Sequence, residues 1–284
     1  MACPICDGGT NPLFTKNGCT IHACVACGHQ FAQPLERGQH IARVYGDAYF
    51  QGDSAGYPDY LSEARLLRNR GRWYARQLKK HLLTGQMLDV GAAAGFILQG
   101  FHDCGWQGVG LEPNPRMAEV GRTRLGLNIQ TGTLESWSSG EQFDLVSMIQ
   151  VIAHFHDLRG ALSAAARATR PGGHWLIETW NRASWTAWLL SQHWHEYSPP
   201  SVLHWFTPTT VRNLLRQHGF VQVAIGRPRK RLSGAHAKLL LRPRLDHHPL
   251  GFLVRPFLRF IDDGAELPYP AEDLFWGLYR KVDR

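Results

Sequence analysis

From residue 86 onward, short apolar runs alternate with longer stretches whose apolar residues recur at helical spacing. MLDVG, VGLE, LNIQTG, FDLVSMIQV and GGHWLIET read as strands, and Phe96 to Cys104, Pro115 to Leu125 and about 158 to 169 as the helices between them. Such alternation calls for an α/β fold, a doubly wound and mostly parallel sheet covered by helices on both faces. Ligands of these sheets sit at the carboxyl ends of the strands.

Upstream, DYLSEARLLRNRGRWYARQLKKHLL carries Leu61, Ala64, Leu67, Trp73, Leu78 and Leu82 at helical spacing, but Gly71 interrupts it. The pattern predicts one broken helix or two short ones. Residues 33 to 58, rich in glycine, tyrosine and turn residues, read as a connector. Downstream, FTPTTVRNLLRQHGF is an amphipathic helix with Thr207 as its cap and Gly219 as its stop, and DLFWGLYRKV is a closing strand. Asp157 stands where a cap for the helix near 158 belongs.

Composition narrows the class. A chain of 284 residues with 44% hydrophobic content can bury a full core. The N-terminus lacks a basic stretch leading into an apolar one, and no apolar run reaches the ~18 residues of a membrane span. The expectation is a soluble, cytoplasmic protein. The net charge of +8 leaves nucleic acid, membrane surfaces and anionic substrates open as partners. Much of that charge lies in GRPRKRLSGAHAKLLLRPR, which has seven Lys and Arg residues and no acid. This basic insert, at about 227–270, reads first as a solvated face; a membrane-surface helix contacting anionic lipid and a nucleic-acid groove are the sharper readings.

Cysteine usage is lopsided. Five of six cysteines precede residue 28, and seventeen residues separate the pair Cys3, Cys6 from the pair Cys24, Cys27. Two C-x-x-C pairs so spaced suit a zinc ribbon in which four thiolates close a tetrahedral structural site. Cys19, His22 and His29 stand nearby as substitutes for any one thiolate. On this reading the chain divides into a zinc ribbon (1–32), a connector with N-terminal helices (33–84) and a larger domain (85–284).

The stretch LDVGAAAGF at 88 to 96 reads as a strand turning tightly into a helix, which aims backbone N–H groups at a ligand. It fails the dinucleotide fingerprint G-x-G-x-x-G, whose second and third glycines fall on Ala93 and Phe96, and it lacks the lysine of a phosphate loop. Glu112 ends the next strand about twenty residues later, where a carboxylate can accept both ribose hydroxyls of an adenosine. Alanine at 93 keeps the backbone from approaching a pyrophosphate closely, so a smaller ligand fits better.

These motifs, with GTLE at 132 to 135, FDLVSMIQVIAHFHD at 143 to 157 and RPGGHWLIET at 170 to 179, together resemble a class I S-adenosylmethionine-dependent methyltransferase. The N-terminal ribbon, the YF-rich connector and HWFTPTTVRNLLRQHGF are similar to the subgroup related to ubiquinone-biosynthesis methyltransferases. The resemblance implies a Rossmann-like sheet of seven strands. It also implies S-adenosylmethionine as cofactor, its methionine end held by Asp89, Gly91 and Gly95, with Ala93 in place of the usual middle glycine. Glu112 would hold the ribose and Thr133 and Leu134 the adenine edge, with Gln150 near the sulfonium. Ala153 departs from the pattern, because relatives often carry glutamate before the histidine.

Methyl transfer from a sulfonium needs in-line placement, and a base only where the acceptor holds its proton tightly. His154, and less so His156, sit just past the fourth strand as candidate bases; either also suits a loop-lining role. The aromatic stretch Trp185 to Trp205 follows the fifth strand as a candidate acceptor lid, whereas Trp175 on that strand reads as core. The expected acceptor is a small molecule bearing a ring or sugar, methylated on a hydroxyl. An RNA methyltransferase using ribbon and insert for phosphate is the alternative, although no [DN]-P-P-[YF] follows the fourth strand. A non-catalytic binding module that kept the fold and lost the cofactor is the second. The sequence is silent on oligomeric state.

Overall fold

The computed structural model describes residues 1–33, 60–138, 140–235, 237–238, 241 and 255–282. Nearly all of the expected connector, and the middle of the basic insert, lie outside the described residues. Three short strands come first: β1 (Thr10–Lys16), β2 (Cys19–Cys24) and β3 (Gln30–Ala32). Lys16 pairs with Cys19, so β1 and β2 join through Asn17 and Gly18 alone, both at positive φ. Asn-Gly is the residue pair that a two-residue hairpin turn demands.

Next comes α1 (Ala64–Leu78), one unbroken helix where the sequence predicted a break. Gly71 is there for its neighbour. A Cβ on it would collide with the Ile97 carbonyl oxygen, and one on Gly100 would collide with the Arg68 carbonyl oxygen. The two glycines let α1 and α2 (Phe96–His102) cross backbone against backbone.

The alternating region follows the expected order. It runs β4 (Gln86–Val90), α2, β5 (Gln107–Glu112), α3 (Pro115–Leu125), β6 (Ile129–Thr131), β7 (Phe143–Ile149), α4 (Leu158–Ala168) and β8 (Thr169–Trp180). Then come α5 (Trp185–Leu190), β9 (His204–Trp205), α6 (Pro208–Gln217), β10 (Phe220–Gly226), β11 (Arg231–Ser233), β12 (Glu266–Pro268) and β13 (Leu274–Lys281). Caps fall where local chemistry places them. Asp157 accepts from the Gly160 N–H at 2.9 Å, Thr207 and Thr210 form a reciprocal box, and Gly219 turns left-handed after α6.

The large sheet has seven strands in the order β6-β5-β4-β7-β8-β13-β10, all parallel except β13, which runs antiparallel between β8 and β10. Neighbouring residues on each central strand face opposite layers. Met87, Leu145 and Leu176 meet Tyr74 and Leu78 of α1 and Leu98 of α2, while Leu88, Val146 and Trp175 belong to the opposite core. The chain works outward from β4 through β5 to β6, then returns to β7 on the other side. A crevice opens at such a reversal, beyond the carboxyl ends of β4 and β7.

A second sheet has the order β1-β2-β3-β9, because β3 pairs with β9 through Gln30–Trp205 and Phe31–His204. Cys3, Ile21 and Phe31 join one continuous core with Trp194, Trp205 and Phe206. Among the described residues, no helix is long and apolar enough to cross a membrane.

Candidate active site and thiol cluster

A cavity lies at the carboxyl ends of β4, β5 and β7. Asp89, Gly91, Ala93 and Glu112 line one side, Thr133 and Leu134 another, and Gln150, His154 and His156 the third. Each Glu112 carboxylate oxygen accepts one backbone N–H, Oε2 from Ala93 at 2.7 Å and Oε1 from Asn114 at 2.8 Å. Lone pairs remain on both oxygens for a ligand. Asp89 accepts from Ser147 Oγ at 2.6 Å. Burial pushes both carboxyls up to about 7, against the hydrogen bonds that lower them. Ala93 adopts φ +49, so the turn keeps a left-handed backbone without its usual glycine.

Gly95 is not brought to this cavity. Its φ of +83 starts α2, and a Cβ there would stand 2.6 Å from Leu127 and 2.8 Å from Ile129. The glycine serves strand-to-helix packing, which a motif alone does not distinguish from ligand approach.

A second cavity adjoins the first and shares Leu67, Arg70, Gln150 and His154 with it. Beneath the junction lies Glu178 of β8, fully buried, which accepts hydrogen bonds from Arg70 and from the Tyr74 hydroxyl of α1. Gln150, itself at φ +61, donates to the same carboxylate at 2.6 Å. This knot ties α1 to the ends of β7 and β8, and sequence reasoning missed it. The available signals were an acid ending an apolar strand and two polar residues one helical turn apart on α1.

His154 meets the Ser201 carbonyl oxygen through Nδ1 at 2.7 Å. A carbonyl only accepts, so in the neutral ring Nδ1 carries the proton and Nε2 is the basic nitrogen. Burial lowers the pKa of His154, opposed by that same bond. The arrangement can take a proton from a group in the second cavity.

Arg229, Lys230 and Arg231 of the basic run stand at the rim of the second cavity, where Arg229 and Arg231 are exposed and Lys230 is half-buried. There Lys230 Nζ lies 4.9 Å from the Trp180 ring centre and 5.2 Å from that of Tyr269, and burial draws it down to about 8. The expected aromatic lid is placed differently. Trp185 and Trp188 are 62% and 77% exposed, Trp194 and Trp205 are core, and Trp180 is the tryptophan that meets the cavity from β8. Trp175 is fully buried, as expected of core.

At the N-terminus the Sγ atoms of Cys3, Cys6, Cys24 and Cys27 lie within 4.8 Å of one another, with Cys3–Cys27 at 3.7 Å and Cys6–Cys24 at 3.4 Å. Zn–S bonds of ~2.3 Å put the sulfurs of a tetrahedral site about 3.8 Å apart. The Ile5 and Cys27 N–H groups each point at a sulfur two or three residues back, at 3.4 Å, the geometry of a metal knuckle. The four thiols therefore fit the ion. Cys19, His22 and His29 stay outside the cluster, and His29 is buried against His204.

A family model described as a methyltransferase domain matches residues 61–225, more than half of the chain. The chain is 29% identical over 141 residues to the ubiquinone biosynthesis O-methyltransferase of Rhodopseudomonas palustris strain BisB18, covering 47% of this chain and 54% of that one. It is 23% identical over 201 residues to the protein of that description from Pectobacterium carotovorum strain PC1, covering 63% and 75%. It spans about half the length of the Rhodopseudomonas palustris relatives it matches. A crystal structure of 1,6-didemethyltoxoflavin-N1-methyltransferase from Burkholderia thailandensis is similar with a TM-score of 0.55 at 16% identity, covering 96% of this chain and all of that one. Another, of a possible histamine N-methyltransferase from Thermotoga maritima, gives 0.52 at 19%, covering 86% and 99%. At these identities the structural likeness speaks for the fold, a Rossmann-like methyltransferase sheet. With its own sheet order and the match over 61–225, this chain belongs to the methyltransferase-domain family.

Proposed function

We propose that the protein binds S-adenosylmethionine in the first cavity and transfers its methyl group to a hydroxyl of a small molecule held in the second. The observation that carries this reading is that the two cavities meet at Gln150 and His154, with buried carboxylates lining the first. Glu112 and Asp89 keep acceptor capacity beyond the N–H and O–H groups they already receive, and a ligand with hydroxyls and an ammonium group offers donors to it. The residues present fit the cofactor.

When bound, S-adenosylmethionine supplies a methyl group already activated on a sulfonium, which leaves placement and proton handling to the chain. Glu112 would accept hydrogen bonds from the ribose hydroxyls, Asp89 and Gly91 would border the methionine end, and Thr133 and Leu134 would border the adenine. Gln150, held by Glu178, borders the junction. His154 Nε2 takes the acceptor's hydroxyl proton, while Nδ1 keeps its own on Ser201. His156 lines the first cavity and is assigned no proton.

The relatives named O-methyltransferases support a hydroxyl acceptor. Trp73, Trp180 and Tyr269 offer faces to a ring or sugar, and Arg76 and Arg229 on the same wall suit an acceptor bearing an acidic group. We also assign one structural Zn2+ to Cys3, Cys6, Cys24 and Cys27, whose four ligands leave no open position for chemistry. Thiols kept reduced for a metal suit the cytoplasm.

Two measurements test the reading. Calorimetry with S-adenosylhomocysteine should show one site per chain. Incubation of methyl-labelled S-adenosylmethionine with pooled metabolites should move label onto a small molecule, and mass analysis should place it on oxygen. No binding would overturn the cofactor site, and label recovered on RNA would overturn the acceptor.

A further inference from the structure

We infer that the N-terminal ribbon is a positioning element of the acceptor site: by clamping residues 194–206 it fixes the place and the tautomer of His154. The inference rests on the reading of His154 as base. It begins with the segment between α5 and β9, which supplies His195, Glu196 and Ser201 to the second cavity yet has little regular structure of its own.

The ribbon holds that segment along its length. Lys16 Nζ donates to the Trp194 carbonyl at 3.4 Å, Asn17 Nδ2 to the Pro199 carbonyl at 3.0 Å, and the Ala32 N–H to the Leu203 carbonyl at 2.9 Å. In return the Tyr197 hydroxyl donates to Gln30 Oε1 at 2.6 Å. The far side of the segment holds the turn that carries His154. Leu203 N–H donates to the Ala153 carbonyl at 2.9 Å, Ser201 offers its carbonyl to His154 Nδ1, and His204 Nε2 donates to the Phe155 carbonyl at 3.0 Å. Three consecutive residues, Ala153 to Phe155, are thus anchored on residues that the ribbon secures.

One histidine joins the two layers. Because His204 Nε2 carries the proton that faces Phe155, its Nδ1 is the acceptor, and His29 Nε2 donates to it across 3.3 Å. His29 is fully buried, with its ring stacked on Phe31 and tilted against Phe206. It follows Cys27 by two residues, so closing the second knuckle sets its position. The side chain that spacing offers as a spare metal ligand instead transmits the ribbon's order to the base.

The test reads the His154 ring directly by nitrogen NMR of histidine-labelled, zinc-loaded protein, and so does not depend on methyl transfer. In the wild type His154 should show a single tautomer protonated at Nδ1. Stripping the metal with a chelator, and separately the variant His29→Phe with its metal retained, should each give an average of both tautomers at His154. His29→Gln, which keeps an N–H donor, should restore the single tautomer. S-adenosylhomocysteine should still bind all of these forms, because Asp89, Gly91 and Glu112 lie on β4, β5 and the turn after β4, outside the clamped turn. A His154 tautomer unchanged in both the metal-free and the His29→Phe proteins would overturn the inference. Loss of S-adenosylhomocysteine binding in the wild type would overturn the proposed function and leave the tautomer result to be read separately.

Discussion

Glu112 ends β5 with both carboxylate oxygens already accepting a backbone N–H, so its remaining lone pairs are aimed rather than free to rotate. Glu112→Ala should weaken S-adenosylmethionine binding about ten-fold or more, since charge-assisted bonds to a ligand are lost. The pH dependence follows from burial. Asp89 and Glu112, raised to about 7, contribute stability to the unliganded fold in acid that is lost as pH rises through 7. Ligand hydroxyls and an ammonium group favour the ionised forms, so cofactor affinity should run the other way and weaken as pH falls below 7, by up to about ten-fold per unit for each of the two carboxyls. Calorimetry at pH 6 and pH 8 checks this, and Glu112→Ala should reduce the difference to the part that Asp89 carries. His154 sets the second expectation at this scale. Its pKa lies below the ordinary 6.5, so the rate should hold into mild acid and fall only below that value. His154→Ala should leave cofactor binding intact and lower the rate about a hundred-fold or more. His156→Ala is the control, and equal, modest losses from both variants with a flat pH profile would remove the base.

At the scale of elements, α1 is the part whose role changed most between pattern and fold. It covers the junction of the two cavities through Leu67 and Arg70, and it is held there by the Glu178 knot and by the glycine crossing with α2. Gly71→Ala separates two effects of opposite sign. Alanine favours a helix interior by ~1 kcal/mol over glycine. Overpacking against a backbone costs about 1–3 kcal/mol, and the collision here is with the Ile97 carbonyl, which has no side-chain freedom to give way. Urea denaturation should therefore show a net loss of about 1 kcal/mol or more. A stabilised variant would mean that α1 and α2 do not cross at this point.

Across the whole molecule, the ribbon and the large sheet share one core through β3 and β9, so a metal held by the four thiols would be coupled to the fold. Purified protein prepared without chelator should carry one zinc, and Cys24→Ser should lose it and loosen residues 1–32, because a tetrathiolate site supplies much of the folding free energy of so small a unit. Cofactor affinity should persist, since none of the residues around the first cavity belongs to the ribbon. Elemental analysis and calorimetry on the same sample check both statements.

The sequence by itself determined what local patterns encode. Strand and helix order came from periodicity, the caps at Asp157 and Thr207 from side chains reaching three residues, the thiol site from paired spacing, and Glu112 from the end of a strand. Only the tertiary structure decided what depends on distant partners. Gly71 looks like a helix breaker until α2 lies against it, and Gly95 looks like a ligand contact until Leu127 and Ile129 fill the space. Glu178 and Arg70 are 108 residues apart, and Ser201 is 47 residues from the histidine whose tautomer it sets. Charge alone gives the basic run at 229 to 231 no direction, and the β11–β12 pairing places it at the rim of the cavity, with Arg229 and Arg231 still exposed. Periodicity and spacing report on neighbours within a few turns of chain, whereas the protonation state of a base and the lining of a cavity are set by groups that only folding brings within hydrogen-bond reach.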